Sequence, residues 1–240
     1  MSAILRVLFS NKVRAPFPIR RFTTKPLDRK ILYLVADRRS VKSDQEYESK
    51  IESLKNYTRY VQLRDPDNAL KIDTACRLKE ILNKNGTRVV TTDLNLALAI
   101  KANGVYLEQN HTTYEQVRAL LGKEASIGMP AETVTGVLAE EHRSHFYWSV
   151  KVFPSKQTNP EGSQARGIEW LKKVRSLSRH PIVAIGGMNL SNIESVYQEM
   201  HLESDCIALA GILMRAKNPP QVAEEIYSIF QKVRTSKEAK

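Results

Sequence analysis

Residues 182–188 read Ile182-Val183-Ala184-Ile185-Gly186-Gly187-Met188, an apolar run that passes straight into two glycines. A helix start is expected just beyond. Ser191 with Glu194 three residues on forms a capping-box pattern, and Ile193, Val196 and Tyr197 supply an apolar face. A buried strand ending in Gly-Gly before a helix leaves backbone N–H groups without partners, and no Cβ bars an approaching anion. Asp205 to Leu209, followed by Ala210-Gly211, repeats the plan. Alone, either glycine element also suits a plain tight turn. Together, on adjacent strands, they predict a phosphate cup between the last two strands of a (β/α)8 barrel.

Working outward, the same rhythm starts near Lys30. Apolar runs at Ile31–Ala36, Tyr60–Leu63, Val89-Val90, Gly104–Leu107, Ala125–Gly128 and Phe146–Val150 predict the first six strands. Helices are expected between them: Gln45–Asn56, then a stripe of Ala75, Leu78, Ile81 and Leu82 stopped by Asn85-Gly86, then Leu94–Ile100. Tyr114, Val117, Leu120 and Leu121 mark the inner face of helix four. Val134, Val137 and Leu138 mark helix five, and Ile168, Leu171 and Val174 mark helix six. The last helix carries Val222, Ile226, Ile229, Phe230 and Val233 at 3.6-residue spacing. Eight strand–helix pairs predict a single (β/α)8 TIM barrel of eight parallel strands over residues 28–240, because closure buries both faces of every strand.

The 240 residues are 42% hydrophobic, enough for a sizeable core, and no apolar run is long enough to span a bilayer. Cys76 and Cys206 have no metal-type spacing and read as plain core thiols. The net charge of +11 is unevenly placed. Six of the 37 basic residues (Arg6, Lys12, Arg14, Arg20, Arg21 and Lys25) precede Asp28 without an acid, leaving 31 bases against 26 acids in the remainder. Residues 1–27 therefore read as a basic extension of mitochondrial transit-peptide type, with a cytoplasmic protein as the alternative. The modest surplus on the barrel, with no basic stripe interleaved with aromatics, argues against a nucleic-acid partner.

The strand C-terminal ends of such a barrel form its active mouth. They are Asp37 and Arg38; Gln62 and Arg64; Thr91, Thr92 and Asp93; Glu108, Gln109 and His111; Met129 and Pro130; Lys151 with the following Ser155, Lys156 and Thr158; and Gly186, Gly187 and Gly211. Hydroxyls and cations dominate, which suits an anionic ligand better than acid–base work on a neutral one. His142 and His145 read as capping helix five in solvent, and Cys206 as a buried strand residue.

In this order the motifs are familiar. Tyr33-Leu34-Val35-Ala36-Asp37, Val61-Gln62-Leu63-Arg64, Asp93–Ile100, Gly104–Gln109, Ile127-Gly128, Val152-Phe153-Pro154-Ser155-Lys156, Arg166-Gly167 and Ala184–Met188 together resemble the thiamine phosphate synthase/TenI family, from about Ile31 to Phe230. The resemblance implies a site joining an aminopyrimidine diphosphate to a thiazole phosphate with Mg²⁺, or, in the TenI branch, isomerising a thiazole carboxylate phosphate. Either way a small phosphorylated thiazole is bound at the glycine ends of strands seven and eight. Carried onto this chain, Lys151 and Arg64 become the candidate catalytic groups. Gln62, Arg64, Ser155, Lys156, Gly186, Gly187 and Gly211 become the candidate ligand contacts.

The departures concern the metal and the diphosphate. Where the family has its two metal-binding aspartates, this chain has Thr92 and His111, poor ligands for a hard cation. Pro66 replaces the diphosphate lysine, Pro130 the serine after strand five, Lys151 the TenI histidine, and Ala210 the phosphate serine. Mg²⁺ is therefore expected only if synthase activity is retained. Three classes stay open: a thiamine-synthesis enzyme, a phosphate-ligand-binding module, and a pseudoenzyme reused as an interaction partner.

Overall fold

A computed structural model describes residues 30–108, 112–154 and 165–239. The basic extension, residues 1–27, lies outside the described residues. Eight parallel strands close into one barrel in sequence order, β1 pairing with both β2 and β8. The strands are β1 (Leu32–Asp37), β2 (Thr58–Arg64), β3 (Arg88–Thr91), β4 (Gly104–Tyr106), β5 (Ser126–Pro130), β6 (Phe146–Lys151), β7 (Ile182–Ile185) and β8 (Cys206–Leu209). The helices are α1 (Asp44–Ser53), α2 (Ile72–Lys84), α3 (Leu94–Ala99), α4 (Tyr114–Leu121), α5 (Val134–Ala139), α6 (Gly167–Leu177), α7 (Ile193–Gln198), α8 (Gly211–Met214) and α9 (Pro219–Glu238).

Strand alternation explains why the strands read as unbroken apolar runs. Leu32, Leu34 and Ala36 of β1 pack outward against the helices, with Trp148 and Val150 of β6 and Ile207 and Leu209 of β8. Tyr33 and Val35 point into the barrel, with Val90, Tyr147, Val183, Cys206 and Ala208. Both faces exclude water, so no polar phase marks either one.

The barrel interior is aromatic and hydrogen-bonded. Tyr33 stacks on Tyr60 with ring centroids 5.7 Å apart, and each lies 6.0 Å from Tyr147. The Tyr33 hydroxyl lies 3.2 Å from Gln62 Oε1, to which it donates, and 3.0 Å from the Tyr147 hydroxyl. Tyr147 has room because β5 offers Gly128 there; a Cβ at that position would collide with its ring.

Several local expectations are corrected. Ser191 and Glu194 form no capping box: α7 begins at Ile193 behind Asn192, which makes no side-chain cap bond. Asn189 Oδ1 instead accepts from the Ser191 amide and hydroxyl, and Glu194 pairs with Lys232. On α4 Leu120 is exposed, and on α5 both Val134 and Leu138 are, leaving Val117 and Val137 as the buried contacts. On α4 the inward stripe is Tyr114, Val117 and Leu121, at i, i+3 and i+7, and Leu120 lies about 100° off it. Cys76 is exposed on α2 rather than buried; Cys206 is buried as expected.

Candidate functional site

The eight parallel strands end on one face, and the loops leaving them set the site. Gly186 and Gly187 follow β7 with φ of 93° and 53°, in the left-handed region where a side chain is strained. The chain leaving β6 presses on both. A Cβ on Gly186 would lie 2.5 Å from the Phe153 carbonyl oxygen, and one on Gly187 2.5 Å from that of Pro154. The glycines therefore seat the exit of β6 against the exit of β7, in addition to leaving their own backbone bare. Lys151, in register with Ile185, runs along the same spot, its Cγ 3.0 Å from the Gly186 Cβ position. After β8, the guanidinium of Arg215 folds back one turn of α8 onto Gly211, in space that a Cβ would occupy. Among the described residues, the amides of Gly187 and Gly211 have no hydrogen-bond partner.

A second group forms at the ends of β1 and β2, which pair Asp37 with Arg64. Asp37 is buried and accepts from Arg39 through its backbone N (3.0 Å), Nε (3.1 Å) and Nη2 (2.9 Å), and from Arg64 Nη1 (2.5 Å). Burial alone would raise the Asp37 carboxyl. The hydrogen bonds from Arg39 and the charge of Arg64 outweigh it and hold the group below the usual carboxylate range. Glu108 lies 3.9 Å from Arg64 Nε. Arg38 turns away from the mouth, its Nε donating to Asp44 (2.8 Å) and its Nη1 to the Val41 carbonyl.

The remaining sequence candidates divide. Gln62 is buried within the tyrosine network rather than open to the mouth, because the inward phase of β2 places it level with Val35. Tyr106, the last residue of β4, bonds Ser149 Oγ at 2.6 Å, and burial pushes its hydroxyl up to about 12. Thr91 is fully buried and its hydroxyl donates to the Asp93 carbonyl. Thr92 is half-buried. Ser155, Lys156, Gln109 and His111 lie outside the described residues. His142 caps α5 through the Ala139 carbonyl.

Among the described residues, the oxygen donors near the mouth have other partners or carry no charge. Asp93 is spent capping α3, its Oδ1 accepting from the Leu96 amide at 2.7 Å, and Glu108 faces Arg64. Among the described residues no three His, Cys, Asp or Glu side chains cluster to hold a metal. Hydroxyls such as Thr91 and Thr92 bring no negative charge to a hard cation. Arg39 and Arg215 were not singled out in the sequence. The first is told from Arg38 only by the turn of the chain after β1, and the second requires the short helix α8 to bring position 215 over position 211.

Comparison with known proteins identifies the family. The thiamine monophosphate synthase family (TMP-TENI) matches residues 32–210. A thiamine-phosphate synthase of Clostridium acetobutylicum is 30% identical over 204 residues, 84% of this chain and 95% of the relative. The solved thiamine phosphate pyrophosphorylase from Pyrococcus furiosus superposes with a TM-score of 0.71 at 23% identity, over 86% of this chain and 98% of that one. A (S)-3-O-geranylgeranylglyceryl phosphate synthase from Thermoplasma acidophilum, solved with sn-glycerol-1-phosphate, gives a TM-score of 0.57 at 13% identity, over 85% and 94%. The two structural likenesses speak for the fold, and no helix among the described residues is long and apolar enough to cross a membrane. Matched from β1 to the end of β8, the chain belongs to the thiamine monophosphate synthase family.

Proposed function

We propose that this chain binds a thiazole phosphate, or a similar small phosphate monoester, at the glycine ends of β7 and β8, while Mg²⁺-dependent coupling to an aminopyrimidine diphosphate is feeble or absent. The observation that carries the reading is the pair of unpartnered amides at Gly187 and Gly211, with Lys151 running alongside Gly186. Backbone donors do not depend on side-chain identity, so phosphate binding survives sequence drift. Coupling needs a cation to neutralise the departing diphosphate, and Thr92 and Asp93 are a poor donor set for one. That donor set also favours the second reading, a binding or interaction protein without turnover on the same barrel. If turnover occurs, Lys151 and Arg64 are the groups placed to meet the ligand.

Calorimetry with the thiazole phosphate, paired with a thiamine phosphate formation assay with and without Mg²⁺, separates the readings. The native chain should bind the monoester. Gly187→Val should weaken it at least tenfold, because a branched residue at φ 53° displaces the Phe153-Pro154 segment and the amides with it. Robust Mg²⁺-dependent turnover by the native chain refutes the degraded-site reading. Absence of any monoester binding favours the interaction protein.

A further inference from the structure

We infer that Arg215 is a charge-selecting residue of the monoester cup, flanking its two glycine ends together with Lys151, and that Lys50 of α1 is the residue that positions it. The inference rests on the reading above for the location of the cup, but its own evidence lies in α1 and α8. Arg215 closes α8: its amide donates to the Gly211 carbonyl at 3.0 Å, which sets it one turn beyond position 211. Helical side chains lean toward the N-terminus, so this one runs back along the turn to the strand end. A Cβ on Gly211 would lie 2.6 Å from Arg215 Cζ and 3.2 Å from Nη1. Gly211 is not among the glycines with positive φ, so the backbone does not require glycine there. The room taken by the guanidinium does.

That placement is held from outside the turn. Lys50 Nζ donates to the carbonyls of Met214 (2.7 Å) and Ala216 (3.1 Å), the residues on either side of Arg215. The Lys50 side chain is only 18% exposed and pairs with Glu46 at 3.3 Å. A helix of four residues leaves its last carbonyls without partners of its own, and a lysine from another element supplies them. With both neighbours pinned, the backbone of Arg215 is held in the orientation that aims its side chain at Gly211. Arg215 is exposed as a residue, so a ligand can reach it from solvent. Strands β7 and β8 are paired, so the glycine ends lie side by side, with Lys151 flanking them from β6 and Arg215 from α8. The described segments that leave β6, β7 and β8 (151–154, 165–166, 186–192 and 210–218) carry Lys151, Arg166, Arg215 and Lys217 and no Asp or Glu. Two cations beside one phosphate favour its dianion, because a ligand with one charge fewer forfeits attraction to each.

The test is calorimetric titration of the full chain at about pH 8, where a phosphate monoester is dianionic because its second ionisation lies near 6. The ligands are the thiazole phosphate, its methyl diester with one charge fewer, and inorganic phosphate. Arg215→Gln should weaken the monoester about tenfold and the diester by less than about threefold, with the unfolding midpoint close to native. Arg215→Lys keeps the charge without the planar fork and should retain part of the preference. Lys50→Met should weaken the monoester in the same direction, and Lys50→Arg should restore part of the loss. In an Arg215→Gln chain Lys50→Met should add nothing, because a positioning residue acts only through the group it positions. Additive losses overturn the role of Lys50. Equal loss of both esters in Arg215→Gln, or an unchanged monoester affinity, overturns the inference and leaves the proposed function standing. A native chain that binds inorganic phosphate through Arg215 but no thiazole phosphate sinks the proposed function and leaves Arg215 standing. A native chain that binds none of the three overturns both.

Discussion

Two buried aspartates, at opposite ends of the barrel, carry arginines to different ends. Asp205 precedes β8 on the underside, where the strands begin. Its Oδ1 accepts from the Ile182 amide (2.9 Å), Ser204 Oγ (3.0 Å) and Arg175 Nη1 (3.0 Å), and its Oδ2 from the His201 amide (2.8 Å). The Asp205 side chain is wholly buried and that of Arg175 nearly so. Asp37 ends β1 at the mouth and also accepts four hydrogen bonds, but three come from guanidinium groups and one from a backbone amide. Below, the carboxylate ties backbone to backbone across the start of β7 and β8. Above, it holds side chains whose outer edges still meet solvent. The underside of such barrels serves stability and the mouth serves chemistry, and the identity of the donors shows which end is which.

The largest expected effect tests the lower cluster. Asp205→Ala removes one acceptor group from two backbone amides and leaves Arg175 buried without its partner, a loss of roughly 3–5 kcal/mol. Denaturant unfolding should show a midpoint shift of that size. A shift under about 1 kcal/mol would mean the underside cluster does not tie β7 to β8.

Asp37→Asn should cost less, on the order of 1 kcal/mol at neutral pH, because its arginines keep access to water. Its pH dependence carries the sign of the shift. The folded carboxyl lies below its ordinary value, so its contribution is in place above about pH 4 and is lost as pH falls through the folded value. Unfolding midpoints of native and variant protein should therefore converge in acid. A gap that stays constant from pH 7 to pH 3 would break the assignment.

The two clusters also show what a sequence yields. The barrel was legible because closure forces eight apolar runs and eight helical stripes into strict alternation, and Val222 through Val233 or Ile182 through Ile185 can be read no other way. Strand-end positions were legible too, since they follow from where each run stops. Which side chain turns into the mouth was not. Arg38 and Arg39 are adjacent, and a short 3₁₀ turn sends one to Asp44 and the other to Asp37. Gln62, a strand-end candidate, is buried and accepts from the Tyr33 hydroxyl, which in turn meets the Tyr147 hydroxyl, a partnership that spacing does not reveal. The Ser191–Glu194 pattern failed because Asn189 takes the serine first, a competition between nearby side chains that spacing alone does not rank. Helix α8 spans four residues, shorter than any periodicity can reveal.

The smallest chemical probe gives the finest comparison. Cys76 is exposed on α2, while Cys206 follows Asp205 directly and is buried, with burial pushing its thiol up. Disulfide-exchange reagents attack through the thiolate, so Cys206 should react only when the chain opens. In a Cys76→Ser background, the labelling rate of Cys206 then reports the population of the open state around the start of β8. A 3 kcal/mol loss at Asp205 corresponds to a rate rise of about 100-fold or more, whereas a 1 kcal/mol loss at Asp37 corresponds to about fivefold. The ratio between the two variants is the informative quantity, because both are read at one thiol under one set of conditions. If Asp37→Asn and Asp205→Ala accelerate labelling equally, the two ends of the barrel share one stabilising role, and the mouth arginines are held for the fold rather than for a ligand.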